Sequence, residues 1–271
     1  MTAKKLRCYM SNKIYLFANW KMYLDYDESN ILANAIADKK KSIPKSVKMA
    51  IFPSALALYT VGQALRDVGI SIGAQNTHWI DKGGYTGEVS AVMYKEAGCQ
   101  YALVGHSERR HLFHETNHEV RQKIEAILLA GLTPVICVGE TEQERQNNKT
   151  ESAIEIQIRA ALQNLVWPKA KPRTEPFYGS GTGNRELIIA YEPVWAIGTG
   201  QACDPQEARR MHELIKKQVV ALTGVSPIIL YGGSVKPENI AQYLKNPNIN
   251  GVLVGSASAN FESWMKIISN I

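Results

Sequence analysis

Tyr101-Ala102-Leu103-Val104-Gly105-His106-Ser107-Glu108 is the stretch on which the reading of the fold turns. Four apolar residues in a row leave no polar face, so a strand built from them must be covered on both sides. Parallel sheets flanked by helices meet that condition; a half-exposed hairpin does not. Gly105 closes the run, and an imidazole, a hydroxyl and a carboxylate follow at once. Outward from this stretch, further short apolar or β-branched runs read as strands at residues 13–18, 47–52, 70–74, 133–138, 187–190, 227–231 and 251–254. Amphipathic helical periodicity separates them, at residues 29–40, 55–68, 119–130, 151–165, 205–222 and 237–244. Eight strands alternating with helices predict an α/β fold, a single (β/α)8 barrel with parallel strands and an outer ring of helices. An open doubly wound sheet is the other arrangement that fits the alternation.

The 271 residues suit one barrel of about 250, with a short extension at residues 1–12, a domain at 13–271 and a surface insertion near 167–185. Proline and glycine dominate that insertion, which ends in Gly179-Ser180-Gly181-Thr182-Gly183-Asn184. A phosphate cradle must open a helix, whereas the element after these glycines is a strand. With 45% hydrophobic and 21% charged residues, the chain has the composition of a packed globular domain. Its longest apolar stretches are broken by Gly131 and Pro134 and fall short of the ~20 residues of a membrane span. Residues 1–12 hold Lys4, Lys5 and Arg7 without the apolar core of a secretory signal, which predicts a cytoplasmic protein. Cys8, Cys99, Cys137 and Cys203 are dispersed, with no C-x-x-C pair, and read as free thiols. The net charge of +6 favours anionic partners mildly, but the lysine clusters lack interleaved aromatics, so no nucleic-acid partner is expected.

In a barrel of this kind the chemistry gathers where strands end and the following loops begin. Asn19-Trp20-Lys21 follows the first strand, Gln75-Asn76 the third, His106-Ser107-Glu108 the fourth, Glu192-Pro193 the sixth, Gly232-Gly233-Ser234 the seventh and Gly255-Ser256 the eighth. Each alone has an ordinary explanation as a cap or a turn. Together they bring an ammonium, an imidazole, a carboxylate and two loops with exposed N–H groups to one rim, and such loops bind phosphate.

Ala18-Asn19-Trp20-Lys21-Met22, the segment from Val104 to Arg110, the segment from Ala190 to Gly200 and Tyr231-Gly232-Gly233-Ser234 closely resemble, in order, the signatures of the triosephosphate isomerase family. The resemblance runs from about Lys13 to the C-terminus. It implies a cytoplasmic enzyme of glycolysis and gluconeogenesis that interconverts dihydroxyacetone phosphate and D-glyceraldehyde 3-phosphate through an enediolate. It further implies Glu192 as the base and His106, as a neutral imidazole, as the electrophile, with Lys21 and Asn19 binding substrate and Glu108 in support. The phosphate would rest on the backbone N–H groups of Gly198, Ser234, Gly255 and Ser256. Residues 193–200 would form a lid over it. No cofactor and no metal are implied. The loop from Gln75 to Glu88 resembles the one with which each subunit of the family reaches into its partner, which implies a homodimer with Thr86 near the partner subunit's Asn19 and His106.

One departure from the family pattern stands out: Ser256 occupies a position that is usually glycine, and its N–H remains available if the backbone there does not need a glycine-only conformation. Two other readings also stay open. A barrel could bind a phosphate anion without chemistry. His114-Glu115-Thr116-Asn117-His118 matches the H-E-x-x-H pattern of zinc hydrolases. That pattern needs both histidines on one helical face, while Thr116-Asn117-His118-Glu119 reads as a capping box that starts the helix after His114.

Overall fold

Tyr15 and Phe17 point into one apolar cluster while Leu16 and Ala18, between and beside them, join another. This alternation explains why the strands carry almost no polar residues: one face fills the barrel and the other packs under the helices. The computed structural model describes residues 13–165, 167, 186–198 and 201–271. The extension at 1–12, all but Trp167 of the insertion, and Thr199 and Gly200 of the expected lid lie outside the described residues.

The strands are β1 (Ile14–Asn19), β2 (Val47–Phe52), β3 (Ser71–Ala74), β4 (Tyr101–Val104), β5 (Thr133–Val138), β6 (Ile188–Tyr191), β7 (Ile228–Tyr231) and β8 (Gly251–Val254). They form a closed barrel in sequence order, every neighbouring pair parallel, with β8 returning to β1. The helices are α1 (Tyr26–Asp38), α2 (Leu58–Arg66), α3 (Ala91–Glu96), α4 (Ser107–Leu112), α5 (Asn117–Leu129), α6 (Glu142–Gln146), α7 (Thr150–Leu162), α8 (Pro205–Thr223), α9 (Ile240–Leu244) and α10 (Phe261–Ser269). No helix among the described residues is long and apolar enough to cross a membrane.

The strands fall where the apolar runs place them, within a residue or so. Helix starts differ more. α1 begins three residues ahead of the periodic stretch because Asp25 and Glu28 cap each other reciprocally, Glu28 N–H donating to Asp25 at 2.8 Å and Asp25 N–H to Glu28 at 3.0 Å. α3, α4 and α6 span six residues or fewer, too short for a periodic pattern.

The end of the barrel where the strands begin is closed. Phe17, Phe52 and Tyr101 pack together in the interior. Beneath them Lys48 holds both carboxylate oxygens of Glu186, at 2.9 and 2.7 Å, and the Tyr15 hydroxyl donates to Glu186 at 2.6 Å. The polar groups that line the cavity, Asn19, Lys21, His106 and Glu192, lie at the opposite end.

His212 is a buried group with no place at either end. It lies on α8, fully inaccessible, edge-on to the Tyr191 ring, with Nδ1 3.3 Å from the Asn248 carbonyl. Burial drives its pKa down from 6.5 to about 4, and the Asn248 hydrogen bond only partly opposes this. Between these values the unfolded chain takes up a proton that the folded protein refuses, so stability is present above pH 6.5 and is lost as pH falls toward 4. The full loss is about 3 kcal/mol. We expect urea unfolding at pH 7 and pH 4.5 to show a smaller drop in stability for His212→Gln than for the wild type. Equal drops would remove His212 from the account of acid lability.

Candidate active site

Where the strands end, a cavity of about 530 Å³ is lined by Asn19, Lys21, His106, Glu192, Gly198, Ser234, Gly255 and Ser256. Residues named from the sequence across five strand ends thus meet in one place. Parallel strands explain this, since every strand delivers its last residue to the same rim.

His106 leaves β4 through Gly105 and caps α4. Its Nδ1 accepts the Glu108 N–H at 3.2 Å. A ring nitrogen that accepts a hydrogen bond carries no proton, so this arrangement leaves the hydrogen on Nε2. Nε2 faces Glu192 Oε1 at 3.2 Å. The other carboxylate oxygen, Oε2, accepts the Ser107 N–H at 2.8 Å. Glu192 is 2% and His106 6% exposed, so the pair sits at the bottom of the mouth, shielded from bulk water.

Two glycines make room for residue 192. A side-chain carbon on Gly139 would run into the Glu192 carbonyl oxygen, and one on Gly232 would lie 2.9 Å from Glu192 Cγ. Residue 192 is gripped from both sides by backbone that tolerates no side chain.

Lys21 adopts φ +49°, a left-handed conformation that costs an ordinary residue roughly 1–2 kcal/mol. Its surroundings hold it there. Its N–H donates to Asn19 Oδ1 at 3.1 Å, and its carbonyl accepts Gln75 Nε2 at 2.8 Å, an amide that also bonds the Phe52 carbonyl at 2.9 Å. The Lys21 ammonium pairs with Glu108 at 2.6 Å while lining the cavity. Strain kept at such a position is the mark of a site whose geometry matters more than its local stability.

After Glu192 the chain makes a single 3-10 turn, Val194–Ala196, and reaches Gly198 at φ +72°. Trp195 Nε1 donates to the fully buried Glu140 at 2.7 Å, and the Tyr191 hydroxyl lies 3.2 Å from both oxygens of the same carboxylate. Burial raises the Glu140 pKa, and these hydrogen bonds oppose the rise. The Arg145 guanidinium stacks on the Trp195 ring at 4.4 Å. On the far side of the segment, Cys203 N–H donates to the Tyr231 hydroxyl at 3.2 Å and its carbonyl accepts the Tyr243 hydroxyl at 2.6 Å. Burial pushes the Cys203 thiol up to about 12, so it is protonated and unreactive.

Ser256 opens a short 3-10 turn. Among the described residues the non-glycine positions at positive φ are Lys21, His114, Asn148 and Asn164, so the serine occupies an ordinary conformation. The H-E-x-x-H segment does not form a zinc-binding helix face. His114 sits in a loop at φ +56°, and α5 starts only at Asn117, capped by the Thr116–Glu119 box. Glu115 is ion-paired to Lys123 at 2.7 Å and Arg109 at 3.2 Å, and no metal-ready cluster of His, Cys, Asp or Glu occurs among the described residues.

A family model described as triosephosphate isomerase matches residues 14–271, nearly the whole chain. The chain belongs to the triosephosphate isomerase family. It is 40% identical over 254 residues to the triosephosphate isomerase of Aquifex aeolicus, covering 93% of this chain and 96% of that protein. Triosephosphate isomerases of Endomicrobium trichonymphae and Carboxydothermus hydrogenoformans are each 39% identical, each alignment covering 94% of this chain and 98% of the relative. The triosephosphate isomerase signatures in the sequence supply Asn19, Lys21, His106, Glu192, Gly198 and Ser234 of the cavity lining, and Gly255 and Ser256 lie outside them. Glu140, Gln75 and Ser107 shape the site without standing out in those motifs. Glu140 has a sequence signal, since it falls just past β5, whereas Gln75 and Ser107 are among the strand-end residues named from the sequence, Ser107 acting here through its backbone N–H.

Proposed function

We propose that the chain converts dihydroxyacetone phosphate to D-glyceraldehyde 3-phosphate and back, with Glu192 and His106 as the reacting pair. The observation that carries this is their juxtaposition, Glu192 Oε1 to His106 Nε2 at 3.2 Å, in a buried mouth. Glu192 takes a proton from the carbon beside the carbonyl, and the electron pair moves onto the carbonyl oxygen to give an enediolate. His106 donates its Nε2–H to that oxygen as charge develops, and Lys21 and Asn19 add a positive charge and a neutral donor. His106 then passes that proton to the former carbonyl oxygen and takes the hydroxyl proton of the neighbouring oxygen in its place, so that return of the proton from Glu192 to the former carbonyl carbon leaves the aldehyde and completes the exchange. The steps are proton transfers alone and call on no cofactor.

The phosphate rests on the N–H groups of Gly198, Ser234, Gly255 and Ser256, with residues 193–200 closing over it to keep water from the enediolate. Ser256 contributes its N–H as a glycine would, given its ordinary backbone conformation. We expect Ser256→Gly to change KM by less than about threefold; a much larger gain in binding would mean that the serine is strained.

The subunit acts as a homodimer through residues 75–88. Met22, in the loop after β1, and Leu112 and Phe113, at the C-terminal end of α4, are 95%, 69% and 64% exposed, and Tyr85 of the loop itself is 46% exposed. Exposed apolar groups so close to a polar site are what a partner loop would cover. Light scattering should return twice the 30.1 kDa of the chain. A monomer with full activity would overturn the pairing and the role of Thr86 in the partner subunit's site. Buried, unpaired Cys99, Cys137 and Cys203 suit a reducing, cytoplasmic setting.

A coupled isomerase assay of wild type beside Glu192→Asp and His106→Gln tests the roles. Wild-type rates in both variants would refute them, and a wild type that binds inorganic phosphate without turnover would favour a binding protein.

A further inference from the structure

We infer that Gln157, on α7 and outside the cavity, is a positioning residue for Glu192 and for the carboxylate that holds Trp195. The inference rests on the proposed isomerase reaction. In a parallel strand the N–H and C=O of one residue point to the same side, and successive residues alternate. Val138 O accepts the Glu192 N–H at 2.8 Å and Glu140 O accepts the Val194 N–H at 3.1 Å, so both residues face the chain leaving β6. Gly139, between them, turns its peptide groups the other way, toward the place of β4. β4 has already ended at Val104, and the chain there has left through Gly105 to His106.

Gln157 takes the place of the absent strand. Its Oε1 accepts the Gly139 N–H at 2.9 Å, and its Nε2 donates to the Gly139 carbonyl at 2.8 Å. One side-chain amide thus copies a strand's pairing and ties the end of β5 to α7, a helix packed against β5, α5 and α8. The tie matters because of what Gly139 touches. Its Cα abuts the Glu192 backbone so closely that no side chain fits, and the next residue, Glu140, receives Trp195 and Tyr191. A shift of Gly139 therefore passes to the proposed base on one side and to the lid anchor on the other.

The test is steady-state kinetics on triose phosphate for Gln157→Met, which keeps the side chain's length and removes both hydrogen bonds, in the Glu192 and Glu192→Asp backgrounds. We expect kcat to fall about 10- to 100-fold with KM within twofold, because sub-ångström misplacement of a base acts on the chemical step. With Glu192→Asp, where the base is already displaced, the further loss should shrink below about threefold. A kcat within twofold of wild type, or the same loss in both backgrounds, would overturn the inference and leave Gln157 a structural residue.

Should Gln157→Met fail to fold, Gln157→Glu decides. A carboxylate accepts from Gly139 N–H but cannot donate to its carbonyl, and protonation restores the donor. The ratio of variant to wild-type kcat should climb as pH falls, and a flat ratio would overturn the inference. Absence of turnover in the wild type would refute the proposed function, and the inference with it; normal wild-type turnover with unaltered ratios would refute the inference alone.

Discussion

Glu192→Gln is expected to lower kcat about 10³-fold while leaving KM within a few-fold of wild type. The amide keeps the shape and still accepts the Ser107 N–H, so the 2.8 Å contact that fixes the side chain survives. What it loses is the capacity to take a proton from carbon, and a positioned base contributes roughly 10² to 10⁴ in rate. Glu192→Asp keeps the charge but withdraws it by one methylene. It should lose about 10²-fold, because transfer from carbon demands close approach. The comparison separates chemistry from placement: if Gln matched Asp, or either retained a tenth of wild-type turnover, Glu192 would not be the base. Thermal unfolding of both variants should stay near wild type, since Glu192 is held as much by its glycine-lined backbone as by its carboxylate.

Gly139→Ala is the second large effect, and it works by backbone collision. The added methyl meets the Glu192 carbonyl, a peptide group that cannot swing aside as a side-chain tip could. Relief requires β5 and the chain after β6 to separate, which strains the 2.8 Å Glu192–Val138 bond and the Gln157 pairing together. Overpacking of this kind costs about 3 kcal/mol, and the displaced base should cost about 10²-fold in kcat. Chemical denaturation beside kinetics on the folded fraction would measure both. A stable, fully active Gly139→Ala protein would show that the barrel end yields more readily than its close contacts indicate.

The strands and the rim were legible for one reason. A strand covered on both faces must be apolar throughout, as in Tyr101-Ala102-Leu103-Val104, and whatever polar residue follows it then stands at the rim. His106, Glu192, Asn19 and Lys21 each occupy such a position. What stayed hidden depends on neighbours remote in the chain. Gln157 is a polar residue on an amphipathic helix, indistinguishable in sequence from a solvent-facing one until Gly139, eighteen residues earlier, is seen against it. Lys21 gives no sign of its left-handed backbone, because Gln75 imposes it from 54 residues away. The start of α1 did have a local signal, Asp25 with Glu28, but one masked by the polar first turn between it and the periodic stretch.

The aromatic packing of Phe17, Phe52 and Tyr101 above the Lys48–Glu186 pair fills the base of the barrel among the described residues. A hydrogen that the proposed base, Glu192, removes from carbon therefore trades places with solvent hydrogen through the upper mouth. The share of a deuterium label that survives into product is then a clock for that mouth, comparing the dwell of the proton on Glu192 with the time the lid admits water.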